Sequence, residues 1–265
     1  MVKYMNSVNK TLYIPLYGKA CVSRRGLFLE DKKAEQLWEE AGFQLKGKAR
    51  SKWLALYMGI RSAVFDCWLK ERLDDNDDAV VLHIGCGLDS RVLRVGSSGH
   101  SWYDVDFPEV MAERKRWYQE RDKYRMIPCD VRDAAWLEAV PKGGRALVIM
   151  EGVSMYLRPD ELYELMGRLC GHFEHISLLM DCYTVLAAKL PKYKNPINEV
   201  GVSEVYGVDE PKFAEGSGLV FVREHEMTPE EYIEELRGAE KYIFKKLYAG
   251  GFSKKLYRLF EYEKV

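Results

Sequence analysis

The sequence lacks long hydrophobic runs and a dominant charge. Its apolar stretches, such as residues 146–150 and 176–180, are far shorter than the ~18 residues of a membrane-spanning helix. The first ten residues also lack the apolar segment of a secretory signal peptide, so we expect a cytoplasmic protein with no membrane partner. Forty basic residues nearly balance 41 acidic ones, and this net charge of −1 argues against a nucleic-acid partner held by bulk electrostatics.

Paired cysteines and internal repeats are absent as well. The six cysteines are scattered without any C-x-x-C pair, which argues against a zinc cluster and a thioredoxin-type redox site. We therefore predict no metal site and expect thiols that pack as small apolar groups in a reducing compartment. With 265 residues, of which 47% are hydrophobic, the chain is large enough to bury a sizeable core without disulfides.

From residue 79 onward, short apolar segments alternate with amphipathic ones. This rhythm predicts an α/β fold: a mostly parallel, seven-stranded sheet that ends in an antiparallel C-terminal pair. We expect a single domain over residues 1–265, made of an N-terminal helical part (1–73), a core (79–182), a cap insertion (183–218) and C-terminal strands with a helix (219–265). The predicted strands are residues 79–84, 101–105, 124–129, 145–150, 175–181, 219–227 and 256–263. The predicted helices are residues 31–42, 52–72, 108–121, 133–139 and 159–173.

The turn after the first strand carries the most informative motif. The strand ends in Gly85-Cys86-Gly87 and leads into a helix, and glycines there allow a tight turn and close approach of a ligand to the backbone. A dinucleotide site would have a third glycine where this chain has Ser90. A nucleoside-type ligand without a pyrophosphate fits the motif better.

Acidic residues follow the next strands at the same edge of the predicted sheet. Asp106 lies about 20 residues after Gly85, the spacing at which a carboxylate accepts hydrogen bonds from ribose hydroxyls. We expect Asp104, two residues earlier, to cap a helix instead. Asp130 and Glu151 follow the third and fourth strands. Because ligands of open α/β sheets bind at the carboxyl ends of the strands, these groups predict one binding site.

Taken in order, these motifs resemble the leucine carboxyl methyltransferase family, which includes the tetracenomycin-type polyketide O-methyltransferases. The resemblance covers roughly residues 11–160 and includes two upstream segments. The matching segments are PLYGKA (15–20), RSAVFD (61–66), GCGLDSR (85–91), DVDFPEV (104–110), CDVRD (129–133) and EGVSMYL (151–157).

The resemblance implies a Rossmann-like class I methyltransferase with S-adenosylmethionine as cofactor. On the family pattern, Arg61 pairs with the methionine carboxylate, with Lys19 nearby, because a guanidinium can grip a carboxylate with two hydrogen bonds. Asp89 and Arg91 are expected to start a helix and to form an internal ion pair. The remaining implied contacts are Gly85 and Gly87 against the cofactor, Asp106 on the ribose, Asp130 and Val131 on the adenine, and Glu151 near the methionine end.

The sequence indicates the methyl acceptor less directly than the cofactor. The resemblance implies an O-methyltransferase that acts on a carboxylate or hydroxyl, of either a small molecule or a protein carboxyl terminus. A carboxylate needs no general base, whereas a hydroxyl benefits from one. No histidine has the surroundings of a base, His83 being inside a strand, and Tyr156 is the only candidate at the acceptor side. A nicotinamide-dependent oxidoreductase and a non-catalytic binding protein of the same fold are the alternatives; no oligomeric state is indicated.

Overall fold

The predicted sheet is present in the computed structural model of the chain, which describes residues 9–45, 47–96, 99–190 and 204–264. Within these residues, seven strands form one sheet in the order β3-β2-β1-β4-β5-β7-β6. The strands are β1 (Val80–Ile84), β2 (Ser101–Asp106), β3 (Tyr124–Pro128), β4 (Arg145–Met150), β5 (His175–Tyr183), β6 (Val220–His225) and β7 (Tyr257–Lys264). Strands β1 to β5 are parallel, and β7 pairs antiparallel with both β5 and β6. The predicted fold class, with its antiparallel C-terminal pair, is confirmed.

Helices precede the sheet and alternate with its strands. The described α-helices are α1 (Tyr13–Arg24), α2 (Lys32–Glu40), α3 (Lys52–Asp74), α4 (Arg91–Arg94), α5 (Pro108–Arg114), α6 (Pro159–His172), α7 (Val185–Ala188), α8 (Glu230–Glu235) and α9 (Gly238–Tyr248). Helix α3 is capped at its N-terminus by Ser51, whose hydroxyl accepts a hydrogen bond from the backbone nitrogen of Trp53 at 3.3 Å. None of the helices within the described ranges is both long and apolar enough to cross a bilayer.

Two predicted segments differ from the structure, and a third lies partly outside the described residues. Helix α5 ends at Arg114 rather than at residue 121, because Arg114 turns inward to a buried ion pair and the following Tyr118 bonds to the backbone of Leu88. Residues 134–139 form a 3₁₀-helix rather than an α-helix, capped by Asp133. The predicted cap insertion contains α7 and a 3₁₀-helix at Pro211–Ser217, and its residues 191–203 lie outside the described residues.

The central strands of the sheet are buried on both faces, as a continuous apolar strand such as β4 requires, whereas the edge strand β6 is largely exposed. Leu147 and Ile149 of β4 pack in one cluster with α1 and α3. Val148 and Met150 alternate onto the opposite face and pack with α6. Residues 55–66 of α3 are all buried, so Arg61, Ser62 and Asp66 lie inside the protein, whereas Lys70 and Glu71 near the end of the helix are exposed. This burial places Arg61 next to the sheet rather than in solvent.

Candidate functional site

The turn after β1 is shaped by two glycines. Gly85 and Gly87 have φ angles of +68° and +52°, a region that other residues rarely adopt. The Gly85 nitrogen donates to the backbone oxygen of Val105 at 2.7 Å, which ties the turn to β2. A Cβ atom on Gly85 would overlap the side chain of Val153. The turn therefore brings bare backbone to the edge of the sheet, as the sequence predicts.

Asp106 lies beside this turn at the end of β2. Its two carboxylate oxygens accept from the backbone nitrogens of Gly87 at 2.7 Å and Phe107 at 2.8 Å. Burial raises the pKa of Asp106 to about 6, although both backbone hydrogen bonds oppose this shift. The carboxylate is therefore fixed in orientation and changes its charge close to neutral pH.

Asp104 does not cap a helix, so that prediction is wrong. Its side chain is fully buried, forms an ion pair with Arg114 at 2.5 Å, and accepts hydrogen bonds from Tyr124 at 2.6 Å and Trp102 at 2.8 Å. These contacts hold β2, β3 and α5 together. The two aspartates of one strand thus have different functions, because Asp104 is enclosed by partners whereas Asp106 reaches the edge of the sheet.

Asp130 and Val131 follow β3 at the same edge. Asp130 is partly exposed and pairs with Arg132, with a distance of 2.6 Å between Arg132 Nη2 and Asp130 Oδ2. This hydrogen bond lowers the pKa of Asp130. Val131 is buried, and its backbone oxygen accepts from Arg168 at 3.3 Å. Two arginines, Arg132 and Arg168, thus hold this segment.

Arg61 is buried and has two acidic partners. It pairs with Glu151 at 3.1 Å and with Asp181 at 3.1 Å, and its Nη1 donates to the Tyr257 hydroxyl at 2.8 Å. Glu151 also forms an ion pair with Arg91. Burial opposes the ionisation of Glu151, but the two arginines outweigh it and lower its pKa to about 2. Glu151 is therefore a permanent anion, shared between two guanidinium groups.

Lys19 reaches the same region from α1. Its Nζ donates to Asp89 Oδ2 at 3.0 Å, and both side chains are buried. Asp89 also accepts from the backbone nitrogen of Arg91 at the start of α4, as predicted. Arg91 forms the expected internal ion pair, at 2.7 Å from Asp66. A single ammonium group can donate three hydrogen bonds, so Lys19 can bind a further acceptor beside Asp89.

A cavity of about 870 Å³ joins these groups. Such a volume is typical of a site for a small molecule of nucleoside size or larger. All the residues predicted to contact the cofactor, together with Tyr156, lie in its wall: Lys19, Arg61, Gly85, Gly87, Asp106, Asp130, Val131, Glu151 and Tyr156. A second part of the wall, which meets the charged groups where Tyr257 bonds to Arg61, is lined mainly by aromatic and apolar side chains: Leu54, Tyr57, Met58, Tyr183, Tyr248, Leu256 and Tyr257.

Within the described part of this wall, neither Tyr156 nor His83 is suited to act as a general base. Burial raises the pKa of Tyr156 to about 12, so its phenol stays protonated at neutral pH. His83 is the one histidine that lines the cavity among these residues, and burial lowers its pKa. Its Nε2 lies 3.2 Å from Arg91, so the ring is held within the ion-pair network. The site is suited to orienting a ligand rather than to removing a proton from it.

Sequence reasoning missed Asp181 and Tyr257. They follow Arg61 by 120 and 196 residues, respectively. Neither belongs to a local motif. Asp181 is the end of a predicted strand, and its position beside Glu151 at the neighbouring strand was the only available signal.

Comparison with known proteins agrees with this geometry. The sequence profile of leucine carboxyl methyltransferases matches residues 9–170. The tetracenomycin polyketide synthesis O-methyltransferase TcmP of Streptomyces glaucescens is 30% identical over 243 residues, which cover 90% of each chain. The S-adenosyl-L-methionine-dependent methyltransferase dpfgK of Gibberella zeae is 28% identical over 62% of this chain and 60% of its own.

Among solved structures, the fold resembles magnesium protoporphyrin IX methyltransferase (ChlM) of Synechocystis PCC 6803 with bound SAH. The TM-score is 0.51 at 15% identity, over 89% of this chain and 100% of that one. This likeness concerns the fold alone. The profile match and the 30% identity to TcmP extend over the turn, the strand-end acids and Arg61, and from them we conclude that the chain belongs to the leucine carboxyl methyltransferase family, a family of S-adenosylmethionine-dependent O-methyltransferases.

Proposed function

We propose that the cavity binds S-adenosylmethionine at its charged end and a small acceptor molecule at its tyrosine-lined end, and that the acceptor is methylated on a carboxylate. The observation that carries this proposal is the convergence of the predicted residues from α1, α3 and four strand ends on one cavity. Membership of the family argues against a nicotinamide-dependent oxidoreductase. The activity assay below tests the other alternative, a non-catalytic binding protein.

The residues present fit the chemical groups of this cofactor. The bare backbone of Gly85 and Gly87 allows close contact, and the fixed carboxylate of Asp106 suits two neighbouring ribose hydroxyls. Asp130 and Val131 would hold the adenine. Lys19 and Arg61 would bind the carboxylate of the methionine part, and the permanent anion Glu151 would attract its ammonium group. These assignments follow the family pattern residue by residue.

When bound, the cofactor supplies an activated methyl group on a sulfonium. The chain's own residues then need only hold the acceptor in line and exclude water. A carboxylate is already ionised at neutral pH, and neither Tyr156 nor His83 in the described cavity wall is suited to deprotonate a hydroxyl. These two facts favour a carboxylate, with a methyl ester as product.

A small acceptor, rather than a protein carboxyl terminus, fits the tyrosine-lined end. Tyr183 and Tyr257 contact each other with ring centroids 5.0 Å apart, and Tyr248 lies further along the same wall. Aromatic side chains such as these bind flat apolar molecules well. The polyketide named for TcmP is consistent with this class. The six free cysteines fit a reducing compartment, in agreement with a cytoplasmic location.

Binding is tested by titration calorimetry with S-adenosylhomocysteine. Arg61→Ala should weaken binding by about 1–3 kcal/mol, since it removes a buried charge-assisted donor. Arg116→Ala is the control, because Arg116 is an exposed arginine paired with Glu113. Unchanged affinity in the Arg61 variant would show that the cofactor contacts are assigned wrongly, even if the fold binds the cofactor.

The reaction is tested by incubating the protein with methyl-labelled cofactor and a panel of aromatic carboxylic acids and phenols. Label in a methyl ester is released as volatile methanol by mild alkali, whereas label in an aryl ether is retained. Alkali-stable label would contradict the carboxylate. Cofactor binding without any labelled acceptor in the panel would favour the non-catalytic alternative.

A further inference from the structure

Two buried side chains outside the predicted site surround the Arg61 guanidinium. Tyr257 donates a hydrogen bond from its hydroxyl to Asp181 Oδ2 at 2.6 Å and accepts one from Arg61 Nη1 at 2.8 Å. Asp181 Oδ2 also lies 3.1 Å from the same Nη1. We propose that Asp181 and Tyr257 are positioning residues, which orient Arg61 toward the cofactor carboxylate; this inference rests on the proposed function of Arg61.

The sheet register brings the two residues together. In the antiparallel pair of β5 and β7, Asp181 lies opposite Leu259 and Tyr183 lies opposite Tyr257. Asp181 and Tyr257 are therefore diagonal neighbours on one face, close enough for a tyrosine to reach across. Tyr257 and Leu259 pack in the cluster that contains α3, so this is the face that Arg61 approaches.

Glu151 alone does not fix the guanidinium, because it has other partners. Its carboxylate also binds Arg91 and lies 3.3 Å from the Ser62 hydroxyl. It contacts Arg61 through Nε and Nη2. Asp181 and Tyr257 hold the remaining nitrogen, Nη1. Because a guanidinium is planar and rigid, partners on both sides determine which way its fork faces.

Asp181 also connects this clamp to the strand-end turn. Its Oδ1 accepts from the backbone nitrogen of Gly152 at 2.7 Å, while Oδ2 receives Arg61 and Tyr257. Arg61, Asp181 and Tyr257 are all buried. Inside the protein, a lost partner leaves a polar group unsatisfied and allows the guanidinium to rotate toward its other anion. The expected effect is weaker binding of the carboxylate that Arg61 holds.

The test compares two ligands that differ in the amino-acid part. S-adenosylhomocysteine has the methionine-type carboxylate, whereas 5′-methylthioadenosine has the same nucleoside and sulfur without it. In calorimetric titrations, Tyr257→Phe should weaken S-adenosylhomocysteine binding by about tenfold, as expected for loss of a hydrogen bond to a charged group. Binding of 5′-methylthioadenosine should not change. Asp181→Asn should likewise weaken S-adenosylhomocysteine binding and leave 5′-methylthioadenosine binding unchanged.

Tyr262→Phe is the matched control. Tyr262 is a buried tyrosine of the same strand, and its hydroxyl bonds to the Pro211 backbone oxygen at 2.8 Å, away from Arg61. It should affect neither ligand. If Asp181→Asn fails to fold, Tyr257→Phe decides the question alone.

Equal weakening of both ligands in Tyr257→Phe, or no weakening of either, would overturn the positioning role, since a general structural defect does not distinguish a carboxylate. If the unmodified protein binds neither ligand, the proposed function fails and this inference fails with it. Binding of both by the unmodified protein, with no selective effect in the variants, leaves the proposed function standing and removes the inference alone.

Discussion

Cofactor binding should depend on pH between 5 and 7 because of Asp106. Burial raises the pKa of this carboxyl to about 6, and only the ionised form can accept from two ribose hydroxyls while both oxygens also bind backbone N–H groups. With a pKa of 6, about one molecule in ten is ionised at pH 5, so the affinity for S-adenosylhomocysteine should be about tenfold lower at pH 5 than at pH 7. Calorimetric titration across this range measures the change.

The stability of the ligand-free protein should change with pH in the opposite direction to cofactor binding. Since the pKa of Asp106 lies above its ordinary value of 3.8, its contribution to stability is fully present below that value and is lost as the pH rises through about 6. Binding and stability should therefore change with pH in opposite directions. This opposition distinguishes Asp106 from general acid unfolding, which would weaken both together.

Asp106→Asn supplies the decisive variant. It removes the charge, so its affinity should be lower at pH 7 by about 1–3 kcal/mol and should no longer depend on pH between 5 and 7. Asp133→Asn is the control, since Asp133 is exposed and only caps a 3₁₀-helix. A pH dependence that persists unchanged in Asp106→Asn would refute the reasoning.

Three further variants test other parts of the site. Gly85→Ala should lower the free energy of unfolding by about 1–3 kcal/mol, because φ is +68° and the added Cβ would overlap Val153. Gly96→Ala is the control: its added Cβ would contact no other atom, so thermal melts should show a smaller loss of stability. Glu151→Gln should cost about 3–5 kcal/mol, since two arginines lose their shared anion. The pKa of Glu151 is about 2, below its ordinary 4.5, so this contribution is full above 4.5 and fades toward pH 2; urea unfolding should show a larger difference at pH 7 than at pH 3. Tyr248→Ala should raise the KM for an aromatic acceptor and leave S-adenosylhomocysteine affinity unchanged. Steady-state kinetics measures the KM and calorimetry measures the affinity; weaker S-adenosylhomocysteine binding would contradict the assignment of Tyr248 to the acceptor.

Local sequence patterns predicted most of the fold and the candidate cofactor-binding residues. The glycine turn and the acid at Asp106 are separated by a spacing that the sequence shows directly, and in the structure the backbone nitrogen of Gly87 donates to Asp106 at 2.7 Å. Strands β1, β4 and β5 of the parallel core have the apolar runs that burial on both faces requires. The sheet therefore followed from residue order alone.

Contacts between distant segments could not be predicted in the same way. The partners of Arg61 come from β5 and β7, and their identity depends on the register of an antiparallel pair. The end of α5 was missed because Arg114 turns inward to Asp104, a tertiary contact without a helix-stop residue at that point. Asp104 was misassigned for the same reason, since its partners Arg114 and Tyr124 follow it along the chain and meet it only in the folded core.

The place of β7 in the sheet affects how the protein is made. β7 follows every other strand along the chain, yet it lies between β5 and β6. Both neighbours are synthesised before their shared partner, so β5 keeps an open edge with unpaired backbone groups until β7 pairs with it. Tyr257 arrives with that strand, and a nascent chain can complete its parallel core while the grip on Arg61 is still missing. On the positioning role proposed above, the orientation of Arg61 would be complete only when this last strand has paired.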